Sequence, residues 1–171
     1  MSLKNSFFFF LCICVLSSCY SQMAYSTKKK SCIKLFEKAL KAPRESVDIE
    51  RGLPNFKNGL SFLQKALKKD DRFWEAHLLS AEYEEYLSNY ENAIIHYQAA
   101  IKIDPNHTKT GNTYYQLSKL LLKKGRYKES LKSLNQFLSF RNSNPDYRRE
   151  AIRLKDCALF SIEAIKNPHD F

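Results

Sequence analysis

Apolar residues in the middle of the chain recur at helical spacing. Ala93, Tyr97 and Ala100 fall at i, i+4 and i+7, the interval that brings side chains onto one face of an α-helix. Asn89 reads as the cap of that helix and Tyr90 as its anchoring aromatic. Asp104-Pro105 stops it, because proline cannot continue the hydrogen-bond ladder. Thirty-four residues upstream the pattern is already present: Asn55, Phe56, Asn58, Gly59, Leu63, Gln64, Ala66, Lys68 and Asp70 match Asn89, Tyr90, Asn92, Ala93, Tyr97, Gln98, Ala100, Lys102 and Asp104 at constant offset. A third copy, Gly125-Arg126-Tyr127-Lys128-Glu129-Ser130 with Leu134 and Phe137 inward, follows at an offset of 37.

The same periodicity predicts the remaining elements. Lys28 to Ala42 reads as a helix with Ile33, Leu35, Phe36, Ala39 and Leu40 apolar, ended by Pro43; residues 44–54 form an irregular connection, and Asn55 to Lys69 is the partner helix. The second hairpin runs from Phe73 to Leu87, turns at Ser88-Asn89, and returns from Tyr90 to Ile103. A third runs from Thr110 to Lys124, turns at Gly125, where glycine ends a helix at little steric cost, and returns to Phe140. Asp146 to Ile165 reads as one long helix. The expected fold is therefore all-α: hairpins over about 28–69, 73–103 and 110–140, with a capping helix over 146–166 and a terminal segment 167–171. No hairpin buries both faces alone, so neighbours stack into a continuous core and the last helix caps the stack. Its apolar content exceeds one stripe, which leaves part of its outer face for docking.

These repeats resemble tetratricopeptide repeats. The period of 34 is that family's signature, and Ala93, Tyr97, Ala100 and Pro105, then Tyr114, Leu117 and Gly125, stand at its motif positions. Gly59 and Ser130 replace the usual alanine, Phe137 a small residue, and Glu84 a frequent aromatic. The resemblance implies a right-handed superhelix in which the first helix of each hairpin lines an inner groove. The groove candidates are Glu75, Leu78, Glu82, Glu85 and Tyr86 from the second unit and Asn112, Tyr115, Lys119, Leu122 and Lys123 from the third. The lysine and asparagine of the family's chaperone-tail carboxylate clamp are Leu78 and Glu82 here, so that binding mode is not expected. Ion pairing of Glu82 and Glu85 with Lys119 and Lys123 is the plainer reading of those charges, each pair worth little at a surface.

Composition changes this picture little. The chain has 171 residues, 44% hydrophobic, with four glycines and five prolines, which fits one helical domain. Its net charge of +10 is unevenly placed. Residues 73–107 carry six acids against one base, and 108–155 carry twelve bases against three acids. The basic cluster of Lys123, Lys124, Arg126, Lys128, Lys132, Arg148, Arg149 and Arg153 lacks dedicated base-stacking aromatics. A solvated face, or attraction to anionic headgroups near an anchored end, accounts for it better than nucleic acid does.

The N-terminus reads as an export segment. Lys4 precedes an apolar run from Phe7 to Leu16, too short to span a bilayer and of signal-peptide size. Leu16-Ser17-Ser18-Cys19 resembles a bacterial lipobox, which makes residues 1–18 a lipoprotein-type signal peptide, Cys19 the lipidation site and residues 19–27 a polar tether. Ordinary cleavage near Tyr20–Met23 and an uncleaved anchor are the alternatives. Cys32 and Cys157 remain in the body, on helices too far apart in a stack for a disulfide, with Cys157 read as a small buried residue.

Chemistry is sparse. His77, His96, His107 and His169 lack partners at metal-ligand spacing, and there is no phosphate loop or nucleophile elbow. No enzyme activity, cofactor or metal is expected. A narrower resemblance runs through residues 27–41, the repeats, and residues 156–168. It is to the N-terminal region of Bacteroidota envelope proteins in which a β-propeller and an OmpA-like peptidoglycan-binding domain follow, some associated with type IX secretion and gliding. Together these readings make the chain a non-catalytic scaffold, lipid-anchored at the outer membrane facing the periplasm or soluble in the periplasm, holding a protein partner through groove or capping helix. The alternatives are the N-terminal piece of a longer envelope protein and an accessory subunit of a cell-wall enzyme.

Overall fold

The computed structural model describes residues 25–45, 47–48, 53–54, 56–141 and 143–167; the export segment with Cys19, His169 and the terminal residues 168–171 lie outside them. Helices α1 (Lys30–Glu45) and α2 (Phe56–Lys69) form the first hairpin, α3 (Trp74–Tyr86) and α4 (Tyr90–Ile103) the second, α5 (Thr110–Lys123) and α6 (Tyr127–Ser139) the third, and α7 (Pro145–Lys166) closes the stack. Between α1 and α2, strands β1 (Val47–Asp48) and β2 (Leu53–Pro54) pair antiparallel, Val47 opposite Pro54 and Asp48 opposite Leu53. Each helix packs on its neighbours in sequence, and α7 also reaches α5.

The core is divided among three clusters along the stack. Phe36, Leu63, Phe73 and Tyr83 centre the first. Ile94, Tyr97, Leu117 and Leu121 centre the second, and Tyr115, Leu134, Phe137 and Ala151 the third. The inward positions read from the repeat pattern are the ones occupied: Ala66, Ala93, Ala100 and Leu134 are fully buried.

Both interior hairpins turn through one geometry. Ser88 and Gly125 each have positive φ, 62° and 71°. The N–H of Ser88 bonds to the Glu85 carbonyl and that of Asn89 to the Glu84 carbonyl; Gly125 and Arg126 bond likewise to Leu122 and Leu121. This pair of bonds satisfies carbonyls that the ending helix leaves without partners. Asn89 occupies the cap position, but its side chain makes no capping bond. Its amide donates instead to Glu84 at 2.7 Å. Glu84, 6% exposed where an aromatic was the family expectation, thereby latches α3 to the start of α4. Asn144 does cap α7, accepting from the Asp146 N–H at 2.7 Å.

Three expectations are corrected. Pro43 does not end α1; the helix continues to Glu45 with the proline inside it. A proline at 43 removes the N–H that would bond the Ala39 carbonyl, and the Tyr83 hydroxyl donates to that carbonyl at 3.0 Å. The tertiary bond replaces the missing helical one. Cys157 is exposed, whereas Cys32 is buried with its thiol 3.7 Å from the Ala66 carbonyl; α7 buries Ala151 and Ala158 instead. Residues 25–27 are not free tether. The Tyr25 ring meets Phe36 and Phe73 edge-on at 5.5 and 6.1 Å, Thr27 is buried and donates to Asp70, and Ser26 caps α3 through the Trp74 N–H at 3.0 Å.

Candidate partner-binding groove

The concave side of the stack holds an open groove of about 870 Å³ between the second and third hairpins. Helix α3 supplies Leu78, Glu82, Glu85 and Tyr86; α5 supplies Asn112, Thr113, Gln116, Lys119, Leu120 and Lys123; Tyr90 and Tyr97 come from α4, Lys109 from just before α5, and Tyr147 from α7. Of the sequence candidates, Leu78, Glu82, Glu85, Tyr86, Asn112, Lys119 and Lys123 line this one groove.

Glu75, Tyr115 and Leu122 do not line it. The Glu75 carboxylate accepts from the Ser26 N–H at 2.9 Å and from its hydroxyl, so it is spent on the N-terminal segment. Tyr115 is 2% exposed, stacked on Tyr147 at 4.9 Å; burial, then the Glu150 carboxylate beside it, raises its hydroxyl pKa. Leu122 packs against the third core cluster. Of the residues not foreseen, Tyr97 was legible only as a core position. Tyr147 reaches the groove because α7 folds back on α5, which no local pattern encodes.

The two walls differ in charge. Glu82 and Glu85 stand on α3; Lys109, Lys119 and Lys123 stand on the α5 side. No ion pair within 4.0 Å joins them among the described residues, which corrects the expectation that these charges neutralise one another. Glu85 accepts from the Tyr97 hydroxyl at 3.2 Å, and burial together with that carboxylate raises the tyrosine's pKa. Desolvation in the concavity raises Glu82; Lys109 acts against the shift and Glu85 with it. Lys123 donates to the Tyr90 hydroxyl at 2.6 Å and lies 3.9 Å from the ring centroid, which lowers the Tyr90 pKa. The Lys119 ammonium sits 5.4 Å from the Tyr115 ring centroid. Tyr86, 72% exposed, stacks flat on Phe56 at 4.6 Å, a pre-set aromatic at the rim.

The basic cluster of residues 123–153 is largely committed elsewhere. Lys124 and Arg126 pair with Glu91 at 3.3 and 3.5 Å, Arg126 also with Glu129 at 2.7 Å, and Arg149 with Asp146. Arg148 closes the end of α6, donating to the Leu138 and Phe140 carbonyls at 3.0 and 2.9 Å. His77 and His96 face each other with Nδ1 atoms 3.0 Å apart, and His107 stacks on Trp74 at 3.9 Å. Among the described residues no group of three or more His, Cys, Asp or Glu is placed to hold a metal, and no helix is long and apolar enough to cross a membrane.

Comparison with known proteins places this geometry. The tetratricopeptide repeat family model matches residues 75–143, the second and third hairpins. No curated protein sequence matches the chain. Among solved structures, the Arabidopsis OM64 tetratricopeptide domain is similar at 17% identity over 74% of this chain and 95% of that one, with a TM-score of 0.59. The Yersinia enterocolitica type III secretion chaperone SycD, in complex with a peptide of the translocator YopD, is similar at 16% identity over 78% and 93%, with a TM-score of 0.57. The first repeat domain of Spaghetti, bound to an HSP90 peptide, is similar at 13% identity over 74% and 92%, with a TM-score of 0.59. The fold is a tetratricopeptide-repeat superhelix, and its central two hairpins carry the repeat pattern in sequence as well.

Proposed function

We propose that this chain is a non-catalytic scaffold whose groove holds a segment of a partner protein. The observation that carries the reading is the groove itself: aromatic and charged side chains line a concave surface and leave its opposed charges unpaired. Two neighbours of the same fold have peptides in their structures, which supports the assignment. Exposed Ile152, Leu159 and Phe160 on α7 offer the partner a second, apolar surface. The test is capture of envelope proteins by the full chain, by an Asn112→Trp variant that fills the groove, and by an Asn135→Trp variant on α6. The expected partner is lost from the first variant and kept by the second. Equal capture by all three excludes the groove.

The placement in the cell follows from residues 1–27. Lipid on Cys19 would hold the stack at the outer membrane, and more than one acyl chain makes such anchoring stable. Because Ser26 and Thr27 are fixed to α3 and to Asp70, only residues 19–24 remain as tether, which extended span roughly 20 Å. The first hairpin then sits beside the membrane. The type IX secretion and gliding context rests on the resemblance that runs through residues 27–41, the repeats and residues 156–168. Intact mass of the natively expressed protein, with membrane fractionation beside Cys19→Ala, tests the anchor: an unacylated, soluble wild-type species removes it.

A further inference from the structure

The groove's charges are not paired, although this sequence pairs the same two repeats elsewhere. Glu91 of the acidic repeat reaches Lys124 and Arg126 of the basic one at 3.3 and 3.5 Å, outside the groove. Inside it, Glu82 makes no hydrogen bond or ion pair among the described residues, and Glu85 is aimed by a tyrosine hydroxyl rather than met by a cation. Lys123 is taken up by the Tyr90 hydroxyl and ring of α4 rather than by a carboxylate. The walls are therefore kept apart with opposite signs, at a concave surface where water screens them less than on an open face.

We infer that the groove selects a partner segment of mixed charge, seating a lysine or arginine against Glu82 and Glu85 and an aspartate or glutamate against Lys109 and Lys119. This rests on the groove being the binding site. A uniformly acidic segment meets repulsion from α3, and a uniformly basic one meets it from the α5 side. Each loses at one wall what it gains at the other, whereas a segment of mixed charge gains at both. The apolar stem of a lysine or arginine has Leu78 and the face of Tyr86 to lie on while its head reaches the carboxylates. A chain-terminal carboxylate gains nothing at the α3 wall, because Glu82 already holds negative charge there.

The probe is a display library of random dodecapeptides, selected on the full chain and counter-screened on Asn112→Trp. Enriched sequences are expected to carry both a basic and an acidic residue. An enriched peptide should bind Glu82→Gln/Glu85→Gln about tenfold more weakly. Replacing the peptide's basic residue by glutamine should cost affinity on the wild-type chain and nothing on that variant. Lys109→Gln/Lys119→Gln should show the converse for the acidic residue. Thermal melts establish that each variant is folded. Groove-dependent peptides that are uncharged or of one sign, or that bind the double-glutamine variants unchanged, overturn the charge selection and leave the groove reading standing. Binders indifferent to Asn112→Trp, or no groove-dependent binder at all, overturn both.

Discussion

An added methyl at Gly59 would lie 2.5 Å from Cε2 of Tyr83 and 3.2 Å from the Ala39 carbonyl oxygen. The ring cannot easily give way. It packs against Phe56 at 5.0 Å, and its hydroxyl is tied to the carbonyl that Pro43 leaves without a helical donor. Glycine on α2, tyrosine on α3 and proline on α1 are thus one arrangement. In an isolated helix Gly→Ala gains about 1 kcal/mol. Here Gly59→Ala should destabilise by about 1–3 kcal/mol through overpacking, a reversal of sign that denaturant midpoints would detect. In a Tyr83→Leu background, itself weakened by loss of the bond to Ala39, the same Gly59→Ala change should cost less, because the clash goes with the ring. The opposite case is Ser88, a non-glycine residue at φ 62°. Ser88→Gly should stabilise by about 1 kcal/mol, less whatever the Tyr90 hydroxyl contributes through its 3.2 Å bond to the serine. A lower melting temperature for that variant would mean the bond outweighs the backbone strain.

Between elements, the pair His77–His96 joins α3 to α4 and makes their packing sensitive to pH. His77 Nε2 lies 2.9 Å from the Asp71 carbonyl, which only accepts, so that nitrogen carries the proton and Nδ1 is left to accept from His96. Burial, then the neighbouring His77, lowers the His96 pKa from 6.5 to about 4. The sign follows from which state takes the proton first. As pH falls through 6.5 the unfolded chain protonates and the folded one does not. Stability is therefore full above that pH and lost progressively down to about 4, by at most about 3 kcal/mol. Glu82, with its raised pKa, works in the other direction and is removed by Glu82→Gln. In that background, unfolding free energy should fall between neutral pH and about pH 4, and His96→Gln should flatten the curve. An unchanged slope would assign the effect to another group. Element positions were largely legible because helical period and turn residues are local signals. The histidine pair was not, since nineteen residues separate its members and only the hairpin's register aligns them. Pro43 misled for the same reason: its cost is offset by a tyrosine two helices away. At the groove, repeat register pointed to Leu78, Glu82, Glu85, Tyr86, Asn112, Lys119 and Lys123 but not to Thr113, Gln116 or Leu120 of α5, while Tyr90, Tyr97 and Tyr147 depended on how the hairpins stack.

At the scale of the molecule, contacts run between neighbouring helices and the core falls into three clusters. Stability in such a stack is nearly a sum of unit and interface contributions, so damage at one end should stay there. Phe137 provides the test. It is fully buried on α6, where the repeat pattern usually has a small residue, and meets the Tyr115 ring at 5.2 Å. Phe137→Ala should cost about 3–5 kcal/mol. The cavity lies in the third cluster, which contains no residue of the first. Hydrogen exchange should therefore rise in α5, α6 and α7 while amides of α1 and α2 keep their protection. The groove would feel the change through its α5 wall and Tyr147, although Phe137 does not line it. Weaker binding by a variant whose first hairpin remains protected would tie recognition to the third hairpin's order. Uniform loss of protection would instead mean that the three clusters unfold as one unit, and the groove could then be lost only with the whole fold.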